Sequence, residues 1–149
     1  MHYWPQHYAP CQPSTGRPED RSPSPSSPPS ILLLEDDPEI TALVQHWTRD
    51  AYALTCASTS EAAIEHINAH AYDILLLDIR LPGSLTGIDV LEHARTSAQS
   101  KNQAAVAIAF TAYAMPGDRK RFLEVGFDCY VPKPLHRRVM LDALQQVSS

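Results

Sequence analysis

The run Ile-Leu-Leu-Leu occurs at 31–34 and again at 74–77, and each time it stops against carboxylates: Glu35, Asp36 and Asp37 after the first, Asp78 after the second. A strand with one wet face alternates apolar and polar residues, so an unbroken apolar run of strand length belongs in a sheet covered on both sides. Around these runs the apolar period changes to that of a helix. In 38–50, Ile40, Leu43, Val44 and Trp47 recur at helical intervals, with Pro38 suited to a first turn. Residues 53–57 (ALTCA) read as a second strand. A second helix follows over 58–70, with Ser58 and Glu61 at capping-box spacing and Ala62, Ile64 and Ile67 apolar. Residues 87–97 read as a helix, and 105–110 (AVAIAF) as a strand on the strength of its β-branched residues. The remainder gives a helix over 116–126, with Pro116 near its start and Gly126 as its stop, then a short strand at 129–131. A closing helix over 135–147 turns Leu135, Val139, Ala143 and Val147 inward. Five strands alternating with five helices predict a doubly wound α/β domain with a parallel sheet and right-handed crossovers. Ligands of such sheets bind beyond the carboxyl ends of the strands, so the strand ends are where chemistry is expected.

The ordered pattern starts near residue 30. Eight of the thirteen prolines lie in the first thirty residues, mixed with serine and lacking any apolar period. Residues 1–29 are therefore expected to be a disordered Pro/Ser-rich tail, and 30–149 the folded domain. The tail has neither the basic start nor the apolar run of a signal peptide, and no later stretch is long and apolar enough to span a membrane. Its two acids balance its two arginines, so the net charge of −5 belongs to the domain, which gives no support for nucleic-acid binding. Cys11, Cys56 and Cys129 show no CxxC spacing and fit reduced thiols in the cytoplasm. His2, His7 and Cys11 are a weak metal-site candidate, because nothing nearby would hold them in place.

Four acids, a hydroxyl and an ammonium fall at the strand ends: Glu35, Asp36 and Asp37, then Asp78, Thr111 and Lys133. Each alone is commonplace in a polar loop. Lys133 is also restrained, standing between Pro132 and Pro134, which fix φ and remove backbone donors. In this order ILLLEDDPEI, DILLLDIRLPG, AFTAYAMPGD and GFDCYVPKPL resemble the four signature segments of the receiver domain of two-component response regulators. The resemblance covers residues 31–147 and implies the flavodoxin-like (βα)5 fold with strand order 2-1-3-4-5.

The resemblance further implies that Asp78 is a phosphoacceptor served by Mg2+. The metal would be held by Asp36 and Asp78 directly, by Glu35 through water and by the backbone carbonyl of Arg80. Oxygen donors around a phosphoryl group suit that ion. Asp37 reads instead as the N-cap of the first helix. Thr111 and Lys133 would contact the transferred phosphoryl group, and Tyr130 would follow Thr111 inward as a switch. Pro134 is expected to follow a cis bond. The turn LPGSLTG is one residue longer than usual in the family, and Arg80 and Tyr113 are expected to shield the acyl phosphate.

The implied role is a single-domain response regulator that is not an enzyme in its own right. It would take phosphoryl groups from a histidine kinase or a histidine phosphotransfer protein, then relay them or switch a downstream partner, with a homodimer also admissible. Arg119, Lys120, Arg121, Arg137 and Arg138 form a basic cluster on the expected output face, with solvated helix surface as its favoured reading. A receiver-like binding module that is never phosphorylated is the alternative. A haloacid-dehalogenase-type phosphatase is disfavoured, because Arg80 stands where its second acid would be.

Overall fold

The computed structural model describes residues 27–112 and 118–148. The tail, the His2/His7/Cys11 candidate, Tyr113 and Pro116 lie outside the described residues. Ten elements alternate: β1 (Ser30–Leu34), α1 (Pro38–Thr48), β2 (Ala53–Ala57), α2 (Ser60–Ala69), β3 (Ile74–Asp78), α3 (Gly87–Thr96), β4 (Val106–Thr111), α4 (Asp118–Val125), β5 (Cys129–Pro132) and α5 (Arg137–Ser148). All strand pairs are parallel and their order is β2-β1-β3-β4-β5, as the resemblance implied.

Strand alternation builds two apolar layers from one sheet. Leu32, Leu34, Leu75, Leu77, Ala107, Ala109 and Tyr130 face α2, α3 and α4, where they meet Ala63, Ile67, Val90, Leu91 and Phe122. Ile31, Leu33, Ile74, Leu76, Ile108, Phe110 and Val131 face α1 and α5, where they meet Val44, Met140, Ala143 and Leu144. This two-sided burial is why both Ile-Leu-Leu-Leu runs carry no polar residue.

Local signals decide the helix ends. Asp37 caps α1, its carboxylate accepting from the Glu39 amide at 2.9 Å, as expected. The cap of α2 is Thr59 rather than Ser58, with its hydroxyl accepting from Ala62 N at 3.1 Å, so the expected capping box with Glu61 does not form. A capping box does form at α3, between Thr86 and Asp89. Gly126 ends α4 at φ +114, a left-handed conformation that glycine adopts without a Cβ penalty. The last helix starts at Arg137 rather than at Leu135; on it Ala143 is buried, Val139 and Val147 are only partly so, as is Leu135 before it, and Met140 and Leu144 are the most buried. On α1, Leu43 belongs to the apolar stripe yet is 45% exposed.

Cys56 is a free, half-buried thiol on β2. Cys129 is buried on β5, and Cys11 lies outside the described residues. Among the described residues, no helix is long and apolar enough to cross a membrane.

Candidate functional site

The register brings the acids, hydroxyl and ammonium to one rim. β1 lies between β2 and β3, so Glu35, one residue past its end, stands beside the end of β3; its amide donates to Ala57 O at 3.0 Å. Asp78 pairs with Phe110 in the β3–β4 ladder, and Thr111 pairs with Pro132 in the next. The Lys133 amide donates to Thr111 O at 2.8 Å, which fixes where its stem leaves β5. The Lys133–Pro134 bond is cis, as expected. Pro132 is tolerated because β5 is an edge strand.

From there the Lys133 ammonium reaches two buried carboxylates. Its Nζ donates to Glu35 Oε1 at 2.9 Å and to Asp78 Oδ2 at 3.0 Å, and lies 4.9 Å from the centre of the Phe110 ring. The second oxygen of each acid is also engaged: Glu35 Oε2 accepts from Asp37 N at 2.9 Å, and Asp78 Oδ1 from Arg80 N at 3.2 Å. Burial lifts the pKa of both carboxyls above the ordinary range, against the hydrogen bonds that favour their ionised forms. Burial pulls the Lys133 ammonium down, but its hydrogen bonds to Glu35 and Asp78 outweigh that and hold its pKa above the ordinary value.

Asp36 is exposed, and Glu35, Asp36 and Asp78 can each present one carboxylate oxygen with all three inside 4.8 Å. Clustered hard oxygen donors of net negative charge suit a small divalent cation. Thr111 and Tyr130 are each 2% exposed. Strand alternation sets Thr111 on the same face as Ala109, the Cα partner of Tyr130. Tyr130 already lies inward, edge-on to Phe122 at 5.9 Å between ring centres.

Three supports were not legible beforehand. Ser60 is buried, and its hydroxyl donates to Leu85 O at 3.0 Å, tying the long β3–α3 loop to α2. Gly87 backs directly onto the Asp78 carbonyl, with its amide donating to Ile79 O at 3.2 Å. A cavity of about 560 Å³ opens beside the end of β3, lined among others by Arg80, Thr111 and Arg121. Of the basic cluster, Lys120, Arg121, Arg137 and Arg138 are exposed, and the Arg119 side chain lies outside the description.

Among known proteins, the Vibrio cholerae chemotaxis protein CheY4 superposes with a TM-score of 0.73 at 23% identity, covering 81% of this chain and 99% of that one; it supports the fold alone. The receiver domain of sensor histidine kinase PA1611 from Pseudomonas aeruginosa matches at 30% identity and a TM-score of 0.70, covering 80% of this chain and 97% of that one; it was solved with a magnesium ion coordinated in its active-site cleft. The transcriptional activator protein PfeR of Pseudomonas aeruginosa is 34% identical over 129 residues, and the sensor protein GacS of Pseudomonas syringae pv. syringae 31% over 115. These matches span 78% and 76% of this chain but only 40% and 13% of those relatives. The family model of the response regulator receiver domain matches residues 31–145, so with this fold and this acidic rim the chain belongs to the receiver-domain family of two-component systems.

Proposed function

We propose that Asp78 accepts a phosphoryl group from a histidine kinase or histidine phosphotransfer protein, with Mg2+ as cofactor. The observation that carries this reading is Lys133 Nζ held between Glu35 and Asp78, with Asp36 completing a three-carboxylate cluster. Phosphoryl transfer asks a protein for positioning and charge neutralisation, and these groups supply both. Asp36, Asp78, the Arg80 carbonyl and, through water, Glu35 would hold the ion, which when bound offsets charge on the transferred group. One Asp78 oxygen forms the new bond to phosphorus as the donor's bond breaks. Lys133 then exchanges its contact with that oxygen for one with the phosphoryl group, while Thr111 donates its hydroxyl to it.

The added charge is the switch. Drawing Thr111 toward the phosphoryl group acts on the strand face that also carries Tyr130, and the altered surface selects a partner or passes the group onward. In this reading the chain is a phosphoacceptor that assists its own phosphorylation and dephosphorylation, and it works in the cytoplasm, where ATP-charged donors are made.

The test is the position of the label. After incubation with phosphoramidate and Mg2+, intact mass should rise by one phosphoryl group, and peptide mapping should place it on Asp78. Incorporation elsewhere, or none, would leave the non-phosphorylated binding module as the better reading. The metal assignment makes its own prediction. Asp36→Asn removes an exposed ligand, so Mg2+ affinity measured by calorimetry should fall about tenfold or more while the melting temperature hardly moves.

A further inference from the structure

The cavity beside Asp78 has a composition that the acceptor chemistry alone does not require. Its wall is apolar where Ile79, Leu81, Ile88 and Phe122 meet, yet Thr111 and two guanidinium side chains, Arg80 and Arg121, also line it. Among the described lining residues the acid is Asp89, which caps α3 by accepting from the amide and hydroxyl of Thr86 at 2.8 and 3.2 Å, and the two guanidinium charges outnumber it. At about 560 Å³ the space is of small-ligand size. Its occupant should therefore be a small anion with an apolar body. Two lining residues border the acceptor: Ile79 follows Asp78 in the chain, and Thr111 follows Phe110, the Cα partner of Asp78.

We propose that this cavity receives the acyl half of a small acyl phosphate and prefers a short aliphatic chain to acetyl. The inference rests on Asp78 being the acceptor. In the step, an Asp78 carboxylate oxygen bonds to phosphorus as the bond from phosphorus to the acyl oxygen breaks. The leaving group departs as a free carboxylate, so no further reactant is needed. Arg121 faces that developing carboxylate charge, and the wall from Ile88 to Phe122 receives the chain. Each methylene buried is worth about 0.8 kcal/mol, roughly fourfold in rate if fully realised in the transition state.

The experiment compares initial rates of Asp78 labelling, read by intact mass, with acetyl phosphate, butyryl phosphate and the acyl-free donor phosphoramidate. Butyryl phosphate should exceed acetyl phosphate by about tenfold, short of the full value for two methylenes. The cavity-filling Ile88→Phe should bring that ratio toward one, and Arg121→Gln should slow both acyl phosphates relative to phosphoramidate, with melting curves confirming that the variants fold. Sodium butyrate alone should shift the amide resonances of Ile79, Leu81, Ile88 and Phe122. Equal rates for the two acyl phosphates, with phosphoramidate still labelling Asp78, would overturn the cavity's role and leave the acceptor reading standing. Failure of all three donors would overturn both.

Discussion

Lys133→Ala is expected to lose roughly 3–5 kcal/mol of folding stability at pH 7 without divalent cations, the usual cost of removing one partner from a buried charge cluster. Glu35 and Asp78 are each 2% exposed and share this one ammonium. Without it, two buried carboxylates face each other through a medium that screens poorly. The deficit should depend on pH in a defined direction. Both carboxyls already titrate above their ordinary values, chiefly through burial, so their ionisation opposes folding. Stability from their protonated forms is full below the unfolded pKa of about 4 and drains away as pH rises through the higher folded values. Lys133, raised by its partners, contributes stability below the ordinary lysine pKa and loses it as pH climbs through its own raised value. Deleting it pushes the carboxyl values higher still. Chemical unfolding should therefore show the largest deficit near neutrality and a much smaller one near pH 4. An equal deficit at both pH values would mean that lost packing, not charge, is what the variant reports.

Two further consequences separate charge from shape. Mg2+ should recover much of the loss, because a cation binding only the folded state stabilises it by mass action. The variant should also still accept a phosphoryl group on Asp78. The switch should fail, since no ammonium remains to follow the phosphoryl group, and hydrogen exchange around Thr111 and Tyr130 should no longer respond to phosphorylation.

How far such a site can be read from sequence depends on which physics places each residue. Asp78, Thr111 and Lys133 were legible because a fully apolar strand reports its own end, and parallel strands in this fold end on one rim. The Asp37 cap was legible because capping is local. The α2 cap was misplaced by one residue for a tertiary reason: Ser58, Thr59 and Ser60 are all capping types, and a contact to Leu85 across the fold engages the last of them. The phase of α5 was similarly ambiguous, since the stripe through Leu135 and Val139 lies beside the one through Met140 and Leu144. The edge-on contact of Tyr130 with Phe122 depends on α4, which is brought against β5 only by the tertiary fold. The particular bonds of Glu35, to Lys133 and to the Asp37 amide, appear once the strands are assembled.

Gly87 shows most sharply what assembly adds, and Gly87→Ala is expected to cost about 3 kcal/mol, the upper range for overpacking, or roughly 12 °C in melting temperature for a domain of this size. A Cβ at position 87 would lie 2.1 Å from the Asp78 carbonyl oxygen, 2.9 Å from its carbon and 3.1 Å from Ile79 Cα. All three are backbone atoms, so no side chain can swing aside. Relief requires either α3 to back away or the end of β3 to shift, and the second moves Asp78. Displacement by about 1 Å costs on the order of a hundredfold in a positioned reaction, so labelling of Asp78 by phosphoramidate should fall to that extent. Gly83→Ala is the control in the same loop. Its φ of +104 strains any side chain, yet a Cβ there meets nothing within 4 Å. That variant should lose about 1 kcal/mol from backbone strain while labelling at the wild-type rate. If both substitutions slowed labelling equally, loop conformation would be the controlling factor. If only Gly87→Ala does so, the start of α3 is the stop against which Asp78 is set.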